Sequence, residues 1–108
     1  MQLQPYPFAA IQSGKKDIEM RLNDEKRKKI AVGDVIRFTD AATGKTLVAV
    51  VLARHEYPDF AGLYEAFEKE RLGYAPDEQA CPADMAQYYP EDKIAKYGVV
   101  GLEIQIMQ

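Results

Sequence analysis

Apolar and polar residues alternate from Ile18 to Leu22, with Ile18, Met20 and Leu22 on one side and Glu19 and Arg21 on the other. A period of two marks a half-buried strand. Residues 99–107 repeat the pattern: Val100, Leu102, Ile104 and Ile106 share one face, and Glu103 and Gln105 the other. Between these segments, residues 35–38 and the β-branched run 46–57 read as two further strands. The connection over residues 40–45 reads as a hairpin in which Gly44 supplies the left-handed position. Helical spacing shows elsewhere. Phe8 and Ile11 lie three apart behind Pro5 and Pro7, and Gly14 sits where such a helix stops. Phe60, Leu63, Tyr64 and Phe67 fit a second helix, with Glu65, Glu68 and Lys69 on its outer face. Residues 83–89 and 91–96 read as short helical pieces, the latter ended by Gly98, while 23–29 and 75–82 read as polar loops.

The order is helix, strand, strand, strand, helices, strand. The last strand must pair across the helical insertion, so the expected class is α+β. A small mixed barrel with helices packed outside satisfies the order. A flat sheet with helices on one face is the competing architecture. At 108 residues the chain has the size of a single domain over 1–108. Apolar residues make up 47% and charged residues 29%, a globular balance that argues against disorder. Cys81 is the only cysteine, which excludes an internal disulfide and any Cys-cluster zinc site. No apolar run nears the roughly 18 residues of a membrane span, and the first residues lack a signal-peptide pattern. These features predict a cytoplasmic protein.

Net charge is −3, which taken alone argues against a general nucleic-acid binder. The charge is unevenly divided, however. Residues 1–54 hold ten Lys/Arg against six Asp/Glu, and residues 55–108 hold four against eleven. One region can therefore face phosphate while the rest keeps the chain soluble. Most catalytic constellations are missing. His55 is the only histidine, so no His-based metal cluster forms and no metal is expected. There is no phosphate-binding loop and no dinucleotide fingerprint, so no cofactor is expected either. His55 and Cys81 read as structural or incidental. The segment from Ser13 to Leu22 stands out. A Gly-Lys-Lys turn leads straight into the strand whose polar face holds Glu19 and Arg21. Lys16, Glu19 and Arg21 in one cleft could bind a base edge and a phosphate, with Arg offering planar bidentate recognition. The plainer reading is an exposed cross-strand ion pair, which is common and contributes little.

Three motifs in order carry a resemblance to the ASCH domain family of the PUA-like superfamily. They are the run Gly14-Lys15-Lys16-Asp17-Ile18-Glu19-Met20-Arg21, the strand start Val32-Gly33-Asp34-Val35-Ile36-Arg37-Phe38, and Tyr89-Pro90 followed by Tyr97-Gly98-Val99-Val100-Gly101-Leu102-Glu103-Ile104. The resemblance implies a PUA-like barrel with a ligand cleft between barrel and helices, and RNA or modified nucleosides as partners. On that basis Lys15, Lys16, Glu19, Arg21 and Tyr97 are expected to line the cleft, and Lys26, Arg27, Lys28 and Lys29 to meet phosphate. Tyr88 and Tyr89 are further candidates to stack a base. Some small bacterial relatives are amidohydrolases that remove the acetyl group of N4-acetylcytidine with a lysine, a threonine and a glutamate. The lysine corresponds to Lys16. The threonine position is Glu19 here, a departure, and the glutamate would come from the helical insertion as Glu68 or Glu70. The alternative expectation is therefore a hydrolase with Lys16, Glu19 and Glu70 as its catalytic set.

Overall fold

The computed structural model describes residues 1–107. Its elements run β1 (Gln2–Leu3), α1 (Pro5–Gln12), β2 (Ile18–Leu22), α2 (Glu25–Lys28), β3 (Val35–Asp40), β4 (Thr46–Tyr57), α3 (Phe60–Ala66), α4 (Lys69–Leu72), a 3-10 helix (Pro82–Gln87), α5 (Glu91–Tyr97) and β5 (Val99–Ile106). Five strands form one sheet in the order β1-β3-β4-β5-β2. Only the β1–β3 pair is parallel; the others are antiparallel. The sheet curls into a half-barrel with helices packed on it, an α+β PUA-like fold. The expected barrel is thus observed rather than a flat sheet.

Register explains why the curled sheet carries two cores. Along β5, Val100, Leu102 and Ile104 point to one face, together with Ala49 and Val51 of β4 and Ile36 and Phe38 of β3. Phe8 and Ile11 of α1 pack into that concave side. Val99 points the other way and joins Ile18, Met20, Phe60, Leu63, Leu72 and Met85 beneath α3, α4 and the 3-10 helix. The strand Ile18–Leu22 is therefore covered on both faces, not half-buried. Glu19 pairs with Leu102 and Arg21 with Val100, which turns these charged side chains to the concave side.

Several local features depart from the periodic pattern. Asp24 caps a helical turn inside the charged segment 23–29 by accepting from the Arg27 N–H at 3.0 Å. A charged stretch without apolar periodicity gave no sign of it. The predicted helix over Phe60–Phe67 ends at Ala66, because Phe67 adopts an extended backbone before α4 restarts at Lys69. Where a short helix is expected over 83–89, Pro82–Gln87 form a 3-10 rather than an α-helix, with Pro82 at its start. The two-residue strand β1 is too short to leave a period.

Gly98 ends α5 and turns the chain into β5 with φ 70° and ψ −170°, a region open essentially to glycine alone. A Cβ there would also lie 3.0 Å from the Tyr57 carbonyl oxygen. Gly98→Ala is expected to cost about 1–3 kcal/mol, read as a lower denaturant midpoint with an unchanged slope.

Candidate functional site

The two edge strands of the curled sheet, β1 and β2, face each other without a backbone ladder. Arg21 spans the gap: its Nη2 donates to the Gln2 carbonyl oxygen at 3.2 Å. A cavity of about 380 Å³ opens in this seam. Its floor is Lys16, Glu19, Met20 and Arg21, one side is Gln2, Leu3 and Gln4, and the opposite wall is Met85, Tyr88 and Tyr89. Tyr89 is fixed by stacking on Phe60 at 5.9 Å between ring centroids, and it also faces Arg21.

Lys16 reaches the floor from the turn between α1 and β2. It is only 4% exposed. Its Nζ donates to the carbonyls of Ile18 and Leu72, each at 2.8 Å, and lies 3.4 Å from Glu19 Oε1. All three ammonium protons thus face acceptors. The Leu72 contact ties β2 to the end of α4. There Gly73, at φ 109°, does two things: it terminates the helix in the left-handed region, and it leaves room for the lysine stem. A Cβ at Gly73 would lie 3.0 Å from Lys16 Cδ. Glu19, also 4% exposed, accepts from Arg21 Nε at 3.2 Å and Nη2 at 2.9 Å, both on Oε2. One buried carboxylate therefore serves two basic side chains, and with both of them protonated the trio carries an excess positive charge.

The surroundings act on these groups differently. Burial pushes the Lys16 ammonium below its ordinary value of 10.5, and the attraction of Glu19 opposes this only in part. Burial also works against the charge of Arg21, but Glu19 and Tyr89 outweigh it and hold the guanidinium above its ordinary value. Positive potential continues beyond the cavity. The amino group of Met1 is lowered by its own burial and then by Arg21, Lys26 and Arg27, against a smaller pull from Glu19. The basic turn thus adjoins the Arg21 side of the seam.

Among the residues expected from sequence, the cavity brings together Lys16, Glu19 and Arg21, with Tyr88 and Tyr89 on its wall. Lys15 is exposed on the preceding turn and lines no part of it. Glu70 is half-buried on α4, Glu68 is exposed, and neither reaches the cavity lining. Tyr97 sits at the end of α5, outside the lining, with the Lys96 ammonium 5.1 Å from its ring centroid. Lys26, Lys28 and Lys29 are exposed, whereas Arg27 is engaged with Asp24 at 3.2 Å. Arg54, not anticipated from the sequence, holds this turn by donating to the carbonyls of Arg27 at 2.8 Å and Ile30 at 2.6 Å. Gln2, Gln4 and Gly73 were also invisible, because β1 and the α4 terminus meet the motif only through the fold. His55 pairs with Glu103 at 2.9 Å on the other face of the sheet, and Cys81 is exposed. Among the described residues no group of three His, Cys, Asp or Glu side chains could hold a metal ion. None of the helices is long and apolar enough to cross a membrane.

Comparison with known proteins agrees with this architecture. A family model of the ASCH domain matches residues 1–108. The crystal structure of hypothetical protein PH0355 superposes with a TM-score of 0.85 at 35% identity, covering 99% of this chain and 96% of that one. The solution NMR structure of protein PF0455 from Pyrococcus furiosus superposes with a TM-score of 0.77 at 36% identity, covering 100% and 96%. No curated protein matches the chain.

Two outcomes follow for the buried trio. Glu19→Ala leaves two buried cations without their shared carboxylate and is expected to cost about 3–5 kcal/mol, measured by chemical denaturation. Lys16 contributes a pH dependence of known sign. Its folded value lies below the unfolded one, so the unfolded chain binds more protons in the window between the folded value and 10.5. The stability of the wild type relative to Lys16→Met therefore rises with pH across that window and is flat below it. Parallel pH profiles for the two proteins would contradict the assignment.

Proposed function

The chain belongs to the ASCH domain family, and from that premise we propose that it is a single-domain, cytoplasmic module that binds RNA or a modified nucleoside in the seam cavity. The observation that supports this most is the pairing of a net positive, solvent-poor floor with an aromatic wall in a cavity of about 380 Å³. That volume is at the small end of ligand pockets and suits one nucleoside, not a stretch of chain. A base enters between Arg21 and the Tyr88–Tyr89 wall. Its ring meets an aromatic surface, and its electron-rich edge meets the guanidinium. Glu19, whose oxygens are shared with both cations, accepts from an exocyclic amine. The exposed Lys26, Lys28 and Lys29 follow the phosphates outward from the Arg21 side.

A second reading is hydrolysis of an acylated nucleoside such as N4-acetylcytidine. The burial that lowers Lys16 supports it, because a depressed lysine can act on a developing oxyanion or transfer a proton. In that reading Glu19 takes a proton from water as the water oxygen bonds to the acetyl carbon, and then returns that proton to the cytosine N4 as the amide C–N bond breaks, releasing acetate and cytidine. Glu70 would complete the set only by moving toward the cavity, since it stands outside the lining.

Fluorescence anisotropy with single-stranded RNA over a salt series tests the first reading. Arg21→Met and Tyr89→Ala are each expected to weaken binding by about 1–3 kcal/mol. Lys28→Glu is expected to flatten the salt slope by about one unit while lowering affinity evenly across sequences. Affinity that is independent of salt and indifferent to Arg21 would overturn the reading. Chromatography of N4-acetylcytidine incubated with wild type and Lys16→Ala tests the second: release of cytidine by the wild type alone establishes hydrolysis, and binding without release leaves a binding module.

A further inference from the structure

β2 is an edge strand, bonded to β5 on one side and open to the seam on the other. The ladder fixes which of its main-chain groups face which way. At one end the Ile104 N–H donates to the Asp17 carbonyl at 2.9 Å, and at the other the Asn23 N–H donates to the Gly98 carbonyl at 3.0 Å. Between them the register runs without a shift, from Ile18 opposite Glu103 to Leu22 opposite Val99. In an antiparallel ladder, hydrogen-bonded pairs alternate with non-bonded ones. Asp17, Glu19, Arg21 and Asn23 therefore direct their main chain to β5, and Ile18, Met20 and Leu22 turn theirs outward. The facing edge obeys the same rule. Thr39 N–H donates to the Met1 carbonyl at 2.9 Å and Ala41 N–H to the Leu3 carbonyl at 2.8 Å, so in β1 it is Gln2 whose main chain faces the seam.

The chain's own cations occupy part of both edges. Lys16 Nζ holds the Ile18 carbonyl at 2.8 Å, and Arg21 Nη2 holds the Gln2 carbonyl at 3.2 Å. Of Ile18, Met20 and Leu22, only Met20 lines the cavity. Its side chain points into the outer core with Ile18 and Leu63, and the residue is 8% exposed. Among the described residues, no strand, turn or side chain pairs with its N–H or its carbonyl. A main-chain donor and acceptor so enclosed normally have a partner. We propose that the N–H and carbonyl of Met20 read the base in the cavity, and that they select a base whose edge carries a ring-nitrogen acceptor beside an exocyclic amine. The inference rests on the nucleoside reading of the cavity and names the class of base.

The ring nitrogen accepts from the Met20 N–H, and the amine donates one proton to the Met20 carbonyl. This is the two-bond contact that one strand residue makes with its partner in a ladder. The second amine proton turns to the concave side and donates to Glu19. There Oε2 takes both Arg21 bonds, while Oε1 faces Lys16 at 3.4 Å and keeps capacity for a further donor. Cytosine and adenine carry this edge. Uracil sets a carbonyl oxygen against the Met20 carbonyl and the Glu19 carboxylate, and its ring N–H against the Met20 N–H. Guanine repeats both conflicts at its six-carbonyl and N1–H. The ladder with β5 already fixes the Met20 main chain, so reading the base orders no further side chain. The Ile18 carbonyl is taken and Arg21 crosses the seam, so the edge is open over one residue and not along the length of a strand. That suits a base edge and not an added peptide strand.

Titration with cytidine, adenosine and uridine 5′-monophosphates tests it. The better of the cytidine and adenosine compounds is expected to bind about 5- to 150-fold tighter than the uridine one. A preference for either supports the proposal and says which base the cavity takes. Uridine monophosphate binding as tightly as the better of them would overturn it. With that ligand labelled with nitrogen-15, a scalar coupling is expected between the Met20 amide nitrogen and the ring nitrogen. Replacing the Met20 amide by an ester removes the donor and leaves the side chain and the β5 ladder intact. This change is expected to weaken binding by about 3- to 10-fold. The same ester at Leu22, outside the cavity lining, should bind like the wild type. An ester at Met20 without effect, or a bound ligand that moves the Arg21 Nε–H resonance and leaves the Met20 amide in place, would overturn the base assignment while the cavity reading stands. If none of the three monophosphates moves Arg21, the cavity reading fails and this inference falls with it.

Discussion

The buried carboxylate of Glu19, shared between Lys16 and Arg21, is the constraint around which this small fold is arranged. A five-stranded sheet of this length cannot close by hydrogen bonding alone, because its edges are a two-residue strand and a five-residue strand. The Arg21 guanidinium crosses the gap to β1, and the Lys16 ammonium ties β2 to the end of α4. Both cations sit in a solvent-poor place, which is unfavourable without a counter-charge. Glu19 supplies it. Buried ion groups of this kind add little net stability compared with apolar packing. What the trio does provide is a charged floor, held rigidly, at the one place where the barrel stays open.

Each step from that floor to a ligand depends on the step before. The register of β2 against β5 turns Glu19 and Arg21 to the concave side, and the 3-10 helix lays Tyr88 and Tyr89 across from them. Stacking on Phe60 fixes Tyr89, so the wall is set before a ligand arrives. Arg54, gripping the carbonyls of Arg27 and Ile30, orders the basic turn beside the seam. The positive floor, the aromatic wall and the neighbouring row of lysines are the features on which the proposed electron-rich, phosphate-bearing ligand rests.

Much of the fold was legible in the sequence because periodicity survives wherever one face of an element meets a core. The strands over 46–57 and 99–107, the helix before Gly14 and the turn at Gly98 all announced themselves that way. The site was legible in part. Lys16, Glu19 and Arg21 share a short segment with fixed spacing, so their proximity follows from local geometry. Their burial did not follow, because a strand with charged residues on one side reads as half-solvated, and only the curl of the sheet encloses that side. The motif places Tyr97 at the cleft by expectation, whereas the fold sets it at the end of α5, outside the residues that line the cavity. Gly73 and Arg54 left no signal at all: each acts on a partner more than twenty residues away, through contacts that exist only once the chain is folded. The capped turn at Asp24 was missed for a different reason. A single side-chain cap can organise a charged segment that has no apolar period to reveal it.

The central claim is that the unbalanced positive charge of the buried trio, expressed through Arg21, recognises the ligand. Nitrogen-15 NMR of the arginine side chains during a titration with cytidine 5′-monophosphate tests it directly. The account predicts that the Arg21 Nε–H resonance moves progressively and saturates with the ligand, while that of Arg37, on the opposite face of the sheet, stays in place. An Arg21 signal that does not move while resonances elsewhere saturate would contradict it.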